Sequence, residues 1–152
     1  MKGYTFSNYN KEHMARAVGM ALPISFKQSV EICNFIKNKN VNDAKKILQN
    51  VVQKKEAVPF RRYNMDLGHK KKIGPGRYPV KVSKELIKLI QSAEANAQFK
   101  GLNTSNLAIA HISVHRAGKS SHYGRQSRTI MKRTSVELVV EEKKETKQEE
   151  KK

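Results

Sequence analysis

HISVHRAGKSSHYGRQSRTIMKRTSVELVV, residues 111–140, decides the fold: its two ends alternate like strands, and its middle has almost nothing to bury. Ile112 and Val114 alternate with His111, Ser113 and His115, while Thr134, Val136, Leu138 and Val140 alternate with Arg133, Ser135 and Glu137. Period-two alternation marks a half-buried strand. Opposing Val114 with Val136 and Ile112 with Leu138 puts both apolar sets on one face, and that register centres the turn on Arg125, beside Gly124. The phase changes near Ala110, which predicts a bulge or two buried faces there. Everything from Arg116 to Arg133 then becomes an extension with six Lys or Arg and no acid. At ~3.3 Å per residue and about nine residues per arm, it spans roughly 30 Å when extended. A two-stranded hairpin alone is marginal in water, so a basic, core-less hairpin implies outside support, of which folded RNA is the natural kind.

Upstream, residues 1–14 are a polar arm with three aromatics, Tyr4, Phe6 and Tyr9. Ala15 to Leu22 is a short strand that Pro23 ends. Ser25 and Gln28 have the spacing of a capping box, opening a helix with the stripe Phe26, Val30, Cys33 and Ile36, and Ile32 beside it. Asn40 can cap a second helix, on which Val41, Ala44, Ile47, Leu48, Val51 and Val52 share one face. From 57 to 80 the periodicity stops. This loop is rich in Gly and Pro and carries Arg61, Arg62, Lys70, Lys71, Lys72 and Arg77 among Tyr63, His69 and Tyr78. Loops of more than about 15 residues in a compact domain are usually functional or disordered, and these aromatics suit stacking on bases. Ser83 can cap a third helix with the stripe Leu86, Leu89, Ile90, Ala93 and Ala97, stopped by Gly101. The expectation is an α+β fold: three helices on a small antiparallel sheet with a long extended β-hairpin. Its parts are an arm (1–14), a globular domain (15–115, with the basic loop 57–80), the hairpin (116–133), a returning strand (134–140) and a disordered Glu/Lys tail (141–152).

Charge narrows the partner. The 152 residues hold 31 Lys or Arg against 13 Asp or Glu, a net charge of +18. Residues 141–152 hold five Glu and five Lys and sum to zero, so the whole imbalance sits in residues 1–140. Such self-repulsion calls for a polyanion, and nucleic acid fits better than a membrane or an acidic protein. The single cysteine, Cys33, forms no internal disulfide and reads as a small core side chain in a reducing compartment. There is no signal-like apolar N-terminus and no membrane-length apolar run, so a soluble cytoplasmic chain is expected; the sequon Asn103-Thr104-Ser105 carries no weight without secretion.

Sites for chemistry are thin. Gly118-Lys119-Ser120 resembles the end of a phosphate loop, but Ser113 stands where the first glycine belongs, and no helix follows. His111 and His115 lie about 13 Å apart on a strand, too far to share an ion, and His122 stands further on. No acid pair, and no serine or cysteine with a base, suggests catalysis. No enzyme, cofactor or metal is therefore expected. The rival binding class is a DNA-compacting chromosomal protein, which would be expected to dimerise and wrap duplex DNA; no obvious dimer-forming apolar surface supports it.

Four stretches are distinctive: Val58-Pro59-Phe60-Arg61-Arg62-Tyr63-Asn64, Gly76-Arg77-Tyr78-Pro79-Val80-Lys81, Ser92-Ala93-Glu94-Ala95-Asn96-Ala97, and Lys132-Arg133-Thr134-Ser135 leading into Val139-Val140. With them the chain, from about Ala15 to Glu141, resembles the universal large-subunit ribosomal protein family numbered twenty-two (seventeen in eukaryotes), in its archaeal and eukaryotic form. The resemblance implies a structural protein bound to large-subunit ribosomal RNA near the peptide exit, helping assembly, with neighbouring ribosomal proteins as partners and no homo-oligomer. It also implies that the hairpin tip, Tyr123, Gly124, Arg125 and Gln126, lines the exit tunnel and meets the nascent polypeptide. The family tip commonly reads Pro-Arg-Ala-x-Gly-Arg-Ala. Gly124 and Arg125 match it, but Ser120, Ser121 and His122 replace Pro, Arg and Ala, and Gln126 replaces the final Ala. The residues expected on RNA are Arg61, Arg62, Lys70, Lys71, Lys72 and Arg77 of the loop. On the hairpin they are Arg116, Lys119, His122, Tyr123, Arg125, Arg128, Lys132 and Arg133.

Overall fold

The computed structural model describes residues 4–143. Its main sheet joins β1 (Met14–Leu22), β5 (Leu107–Arg116) and β6 (Thr134–Glu142) in the order β1-β6-β5, antiparallel throughout. Val114 pairs with Val136 and Ile112 with Leu138, the register that the apolar alternation requires, and the ladder shifts between Ile109 and His111, at the expected bulge. β6 runs on through Glu141 and Glu142, two residues past the expected boundary; of the Glu/Lys tail, residues 144–152 lie outside the described residues.

Three helices complete the fold: α1 (Phe26–Ile36), α2 (Val41–Val52) and α3 (Val80–Phe99). The core lies where α1 and α3 meet the sheet, among Ile32, Ile36, Leu86, Ile90, Ile109, Leu138 and Val140. Cys33 belongs to it, and burial pushes its thiol pKa well up, which keeps it inert. On α1 the buried set is Ser29, Glu31, Ile32, Cys33 and Ile36, while Phe26 and Val30 are only half-buried. The expected stripe is therefore rotated. Phe26 leaves the core to meet Tyr63 edge-on, with ring centroids 6.2 Å apart.

Helix starts depart from expectation too. Ser25 and Asn40 hold the N-cap positions with extended backbone, but neither side chain makes a capping hydrogen bond. The Ser25 carbonyl instead accepts from both the amide and the hydroxyl of Ser29, at 2.9 and 2.8 Å. Ser83 is not a cap. α3 starts earlier because Pro79 supplies the boundary, and Ser83 lies in the first turn with its hydroxyl on the Pro79 carbonyl. The other end is as expected: Gly101 has φ +77°, its amide donates to Gln98, and the Leu102 amide reaches back to Ala97. Nothing lies within 4 Å of a Cβ built there, so Gly101→Ala tests backbone strain alone. It should cost ~1 kcal/mol, seen in a thermal melt as a fall of about 2–4 °C.

The loop at 57–80 is not structureless. β2 (Val58–Pro59), β4 (Gly74–Arg77) and β3 (His69–Lys70) form a second small sheet in the order β2-β4-β3. Strands of two to four residues carry too little periodicity to be seen in sequence. Pro59 lies on an edge strand, where a missing donor is tolerated, and Pro75, in the middle strand, serves as an acceptor, its carbonyl taking the Phe60 amide at 2.9 Å. Phe60 anchors this sheet in the core, 1 % exposed.

Candidate nucleic-acid interface

Arg61, Arg62 and Tyr63 leave β2 as a bend, and three successive backbone amides there need partners. Glu31 of α1 supplies them. Its carboxylate accepts from the Arg61, Arg62 and Tyr63 amides at 3.1, 2.9 and 2.7 Å, and the residue is 3 % exposed. With the backbone fixed, the Arg61 and Arg62 side chains are exposed, and Arg62 lies over the Tyr63 ring, 5.5 Å from its centroid. Asn64 follows in the left-handed region at φ +53°, which a non-glycine residue adopts only at some cost.

Between this bend, the start of α1 and the base of the extension lies a groove of about 390 Å³. Six cations line it, Lys27, Arg77, Arg116, Lys119, Lys132 and Arg133, and no acidic residue does. The arrangement follows from the sheet. β5 ends at Arg116 and β6 begins at Thr134, so both arms of the extension leave together, and Ala117 donates to the Arg133 carbonyl at 3.3 Å. The Arg116 guanidinium carbon sits 5.0 Å from the Phe26 ring centroid, which holds it over the groove. Arg133 is further tied to the Ala21 carbonyl at 3.3 Å.

Beyond the groove the two arms touch at one bridge, Ser121 with Ile130, and turn through a short 3-10 segment at Gly124–Gln126. Gly124 has φ +64°, as the turn requires. The His122 amide donates to Thr129 and the Met131 amide to Ser120, at 2.9 and 2.8 Å. Tyr123, Arg125, Gln126 and Arg128 are exposed, Tyr123 at 89 %. The extension is thus a hairpin in outline, held by a few bonds rather than a continuous ladder.

The residues expected to bind RNA fall into three sets. Arg77, Arg116, Lys119, Lys132 and Arg133 converge on the groove, with Arg61 and Arg62 on the bend beside it. His122, Tyr123, Arg125 and Arg128 lie along the extension. Lys70 ends β3, Lys71 and Lys72 lie in the turn to β4, and none of the three lines the groove; Lys70 lies over Tyr78 at 5.6 Å. Three contributors were not anticipated: Glu31, Lys27 and Asn64. Lys27 was visible only as one cation among many at the start of α1; Glu31 carried no local signal, because the segment that buries it is 30 residues away.

The opposite face of the sheet is polar and covered. Thr5 donates its amide and hydroxyl to Glu137 at 3.0 and 2.7 Å, Ser113 adds a bond at 3.4 Å, and His115 Nε2 lies 3.5 Å away. Phe6 packs on His111, with centroids 4.9 Å apart. Glu137 and His111 are therefore held by the N-terminal arm instead of facing solvent or RNA. Burial alone would raise the Glu137 pKa, but the Thr5, His115 and Ser113 interactions outweigh it and leave it below the ordinary carboxylate value. Burial lowers the His111 pKa, helped by the Lys37 and His115 charges against Glu137.

Both groups bind fewer protons folded than unfolded between their two values, so both lose stabilisation on acidification. His111 acts as pH falls below its ordinary 6.5, and Glu137 as pH falls from the ordinary carboxylate range through its lower folded value. The urea midpoint should therefore drop in two stages. Glu137→Gln should shrink the lower stage and His111→Phe the upper; a midpoint flat from neutral pH to the carboxylate range would refute the arm's role.

Among the described residues, no group of metal-ligating side chains could hold an ion, and no helix is long and apolar enough to cross a membrane. The family model described as "Ribosomal protein L22p/L17e" matches residues 17–141. The chain is similar to large ribosomal subunit protein uL22 of Archaeoglobus fulgidus, 37 % identical over 91 % of this chain and 94 % of the relative. It is also similar to the uL22 proteins of Thermofilum pendens (43 % identical over 74 % of this chain and 75 % of the relative) and Methanococcoides burtonii (43 %, over 86 % and 91 %). These relatives are ribosomal subunit proteins, not enzymes. On a match that runs from β1 into the last strand of the sheet, β6, the chain belongs to the ribosomal protein L22p/L17e family.

Proposed function

We propose that this protein is a structural component of the large ribosomal subunit in the cytoplasm. It binds large-subunit ribosomal RNA and supports assembly, and its extension reaches the wall of the polypeptide exit tunnel. One observation carries the reading: an acid-free groove with six cations opens onto an exposed, core-less, basic extension. Cations on a rigid base neutralise phosphates and release counterions, so affinity falls steeply with salt. Polar and aromatic side chains between them fix the register on 2′-hydroxyls and unpaired bases. Tyr123, Gly124, Arg125 and Gln126 form the most distant part of the extension and are the residues proposed to meet the tunnel and the nascent chain. The other partners are neighbouring ribosomal proteins around the exit.

Co-sedimentation of the tagged protein through a sucrose gradient, with a high-salt wash of the large-subunit peak, tests this. Stoichiometric retention is expected, because an extension enclosed by RNA cannot leave by counterion exchange alone. Release at moderate salt would reduce the protein to a peripheral basic binder. Comparable binding to duplex DNA would then favour a chromosomal role.

A further inference from the structure

We infer that the groove at the base of the extension is a seat for one unpaired nucleotide of an RNA strand, rather than a surface for duplex phosphates. The inference rests on the proposed RNA binding and adds the form of the ligand. Charge alone would suit any polyanion, but the lining is not only charge. Its floor is apolar, with Ile24 and Phe60 each 1 % exposed and the half-buried Phe26 between them in sequence. Three side chains able to hydrogen-bond, Ser25, Gln28 and Asn64, line it and make no side-chain bond to the described residues. Ser25 leaves its capping role unfilled, and Asn64 is held in a strained backbone beside the bond-rich Glu31 bend. Donors alone would serve a phosphate, but free acceptors on Gln28 and Asn64 over an apolar floor describe a base site, since a phosphate has no donor to give them and no face to lay on that floor.

Arg116 provides the platform. Phe26 supports its guanidinium from one side, at 5.0 Å, and Arg116 is exposed on the strand end facing the groove. Bases of unpaired RNA stack on guanidinium planes and present their edges to amide and hydroxyl side chains. The volume of about 390 Å³ is near the lower end of small-ligand sites, which run from ~300 to ~1,000 Å³. That is room for one nucleotide, and a duplex, whose bases are stacked inside, cannot enter it. The cations at the rim would hold the flanking phosphates.

The test uses the full chain and two fluorescent probes at equal salt: a ten-nucleotide mixed-sequence single-stranded RNA, and the same strand annealed to its complement. The single strand should bind roughly tenfold tighter, the effect expected from one stacked base. Arg116→Lys keeps the charge but loses the plane. It should remove most of that preference while leaving the salt slope unchanged. The double variant Gln28→Ala with Asn64→Ala should weaken the single strand alone, whereas Lys119→Ala should weaken both probes. Equal binding of the two probes, or an Arg116→Lys protein with its preference intact, overturns the nucleotide seat and leaves the proposed function standing. If neither probe binds, the seat is overturned, and failure to co-sediment with the large subunit would then overturn the proposed function as well.

Discussion

Glu31→Ala should lower stability by about 3–5 kcal/mol. Each hydrogen bond to a charged group is worth ~1.5–3 kcal/mol, and removing the acceptor leaves up to three backbone amides to find water. The lower figure applies if the bend at Arg61–Tyr63 opens to solvent and the amides are hydrated there. Against a typical domain stability of about 5–15 kcal/mol, even that loss is large. Urea unfolding should show a lower midpoint with an unchanged slope, and limited trypsin digestion should cut first at Arg61 or Arg62. Glu31→Gln should fall between parent and alanine, because one amide oxygen replaces two carboxylate oxygens and its NH₂ group faces a donor. An alanine variant as stable and as trypsin-resistant as the parent would show that the bend holds itself.

Deleting Lys119 to Lys132, with Gly118 and Arg133 joined through a two-residue Asn-Gly turn, should leave the globule folded and remove its salt-resistant hold on the ribosome. Ala117 already donates to the Arg133 carbonyl, so the cut ends are neighbours. The segment contributes no residue to the core. A thermal melt should therefore move by no more than a few degrees. Four cations leave with it, Lys119, Arg125, Arg128 and Lys132. At ~0.7–0.9 per neutralised phosphate, the slope of log affinity against log salt should become shallower by about three. Loss of the circular dichroism signal at ordinary temperature would refute this division of labour, and an unchanged salt slope would show that the extension touches little phosphate.

How much of this was legible in the sequence depended on how local the cause was. The register of β5 on β6 was readable because Ile112, Val114, Val136 and Leu138 must share a buried face, and a slip of one residue would expose all four. The α3 stripe and its stop at Gly101 were readable for the same reason, being set within one helix. Ser25 and Gln28 had the spacing of a capping box, yet the turn closed through Ser29, which a pattern cannot distinguish. Pro79 could start α3 as well as Ser83 could, and only the packing of Val82 in the core decided between them. The six groove cations came from four separate parts of the chain, so composition announced their presence and not their meeting place. Glu31 was the least legible. At about 100° per residue it stands well off the α1 stripe, and a helical wheel reads it as solvated until a bend from elsewhere covers it.

The middle strand of the main sheet is the last to be made. β1 and β5 do not touch except through β6, and Met14 must wait for Glu141 before its pair exists. During synthesis the helices, the bend and the whole basic extension therefore leave the ribosome before the sheet can close. Pairings this distant in sequence are slow to form, so the newborn chain passes through a stage in which its cations are displayed and its core is open. For such a chain, contact with RNA and completion of the fold compete in time, and a chaperone that shields the unpaired edges of β1 and β5 would act until the end of β6, at Glu142, has emerged.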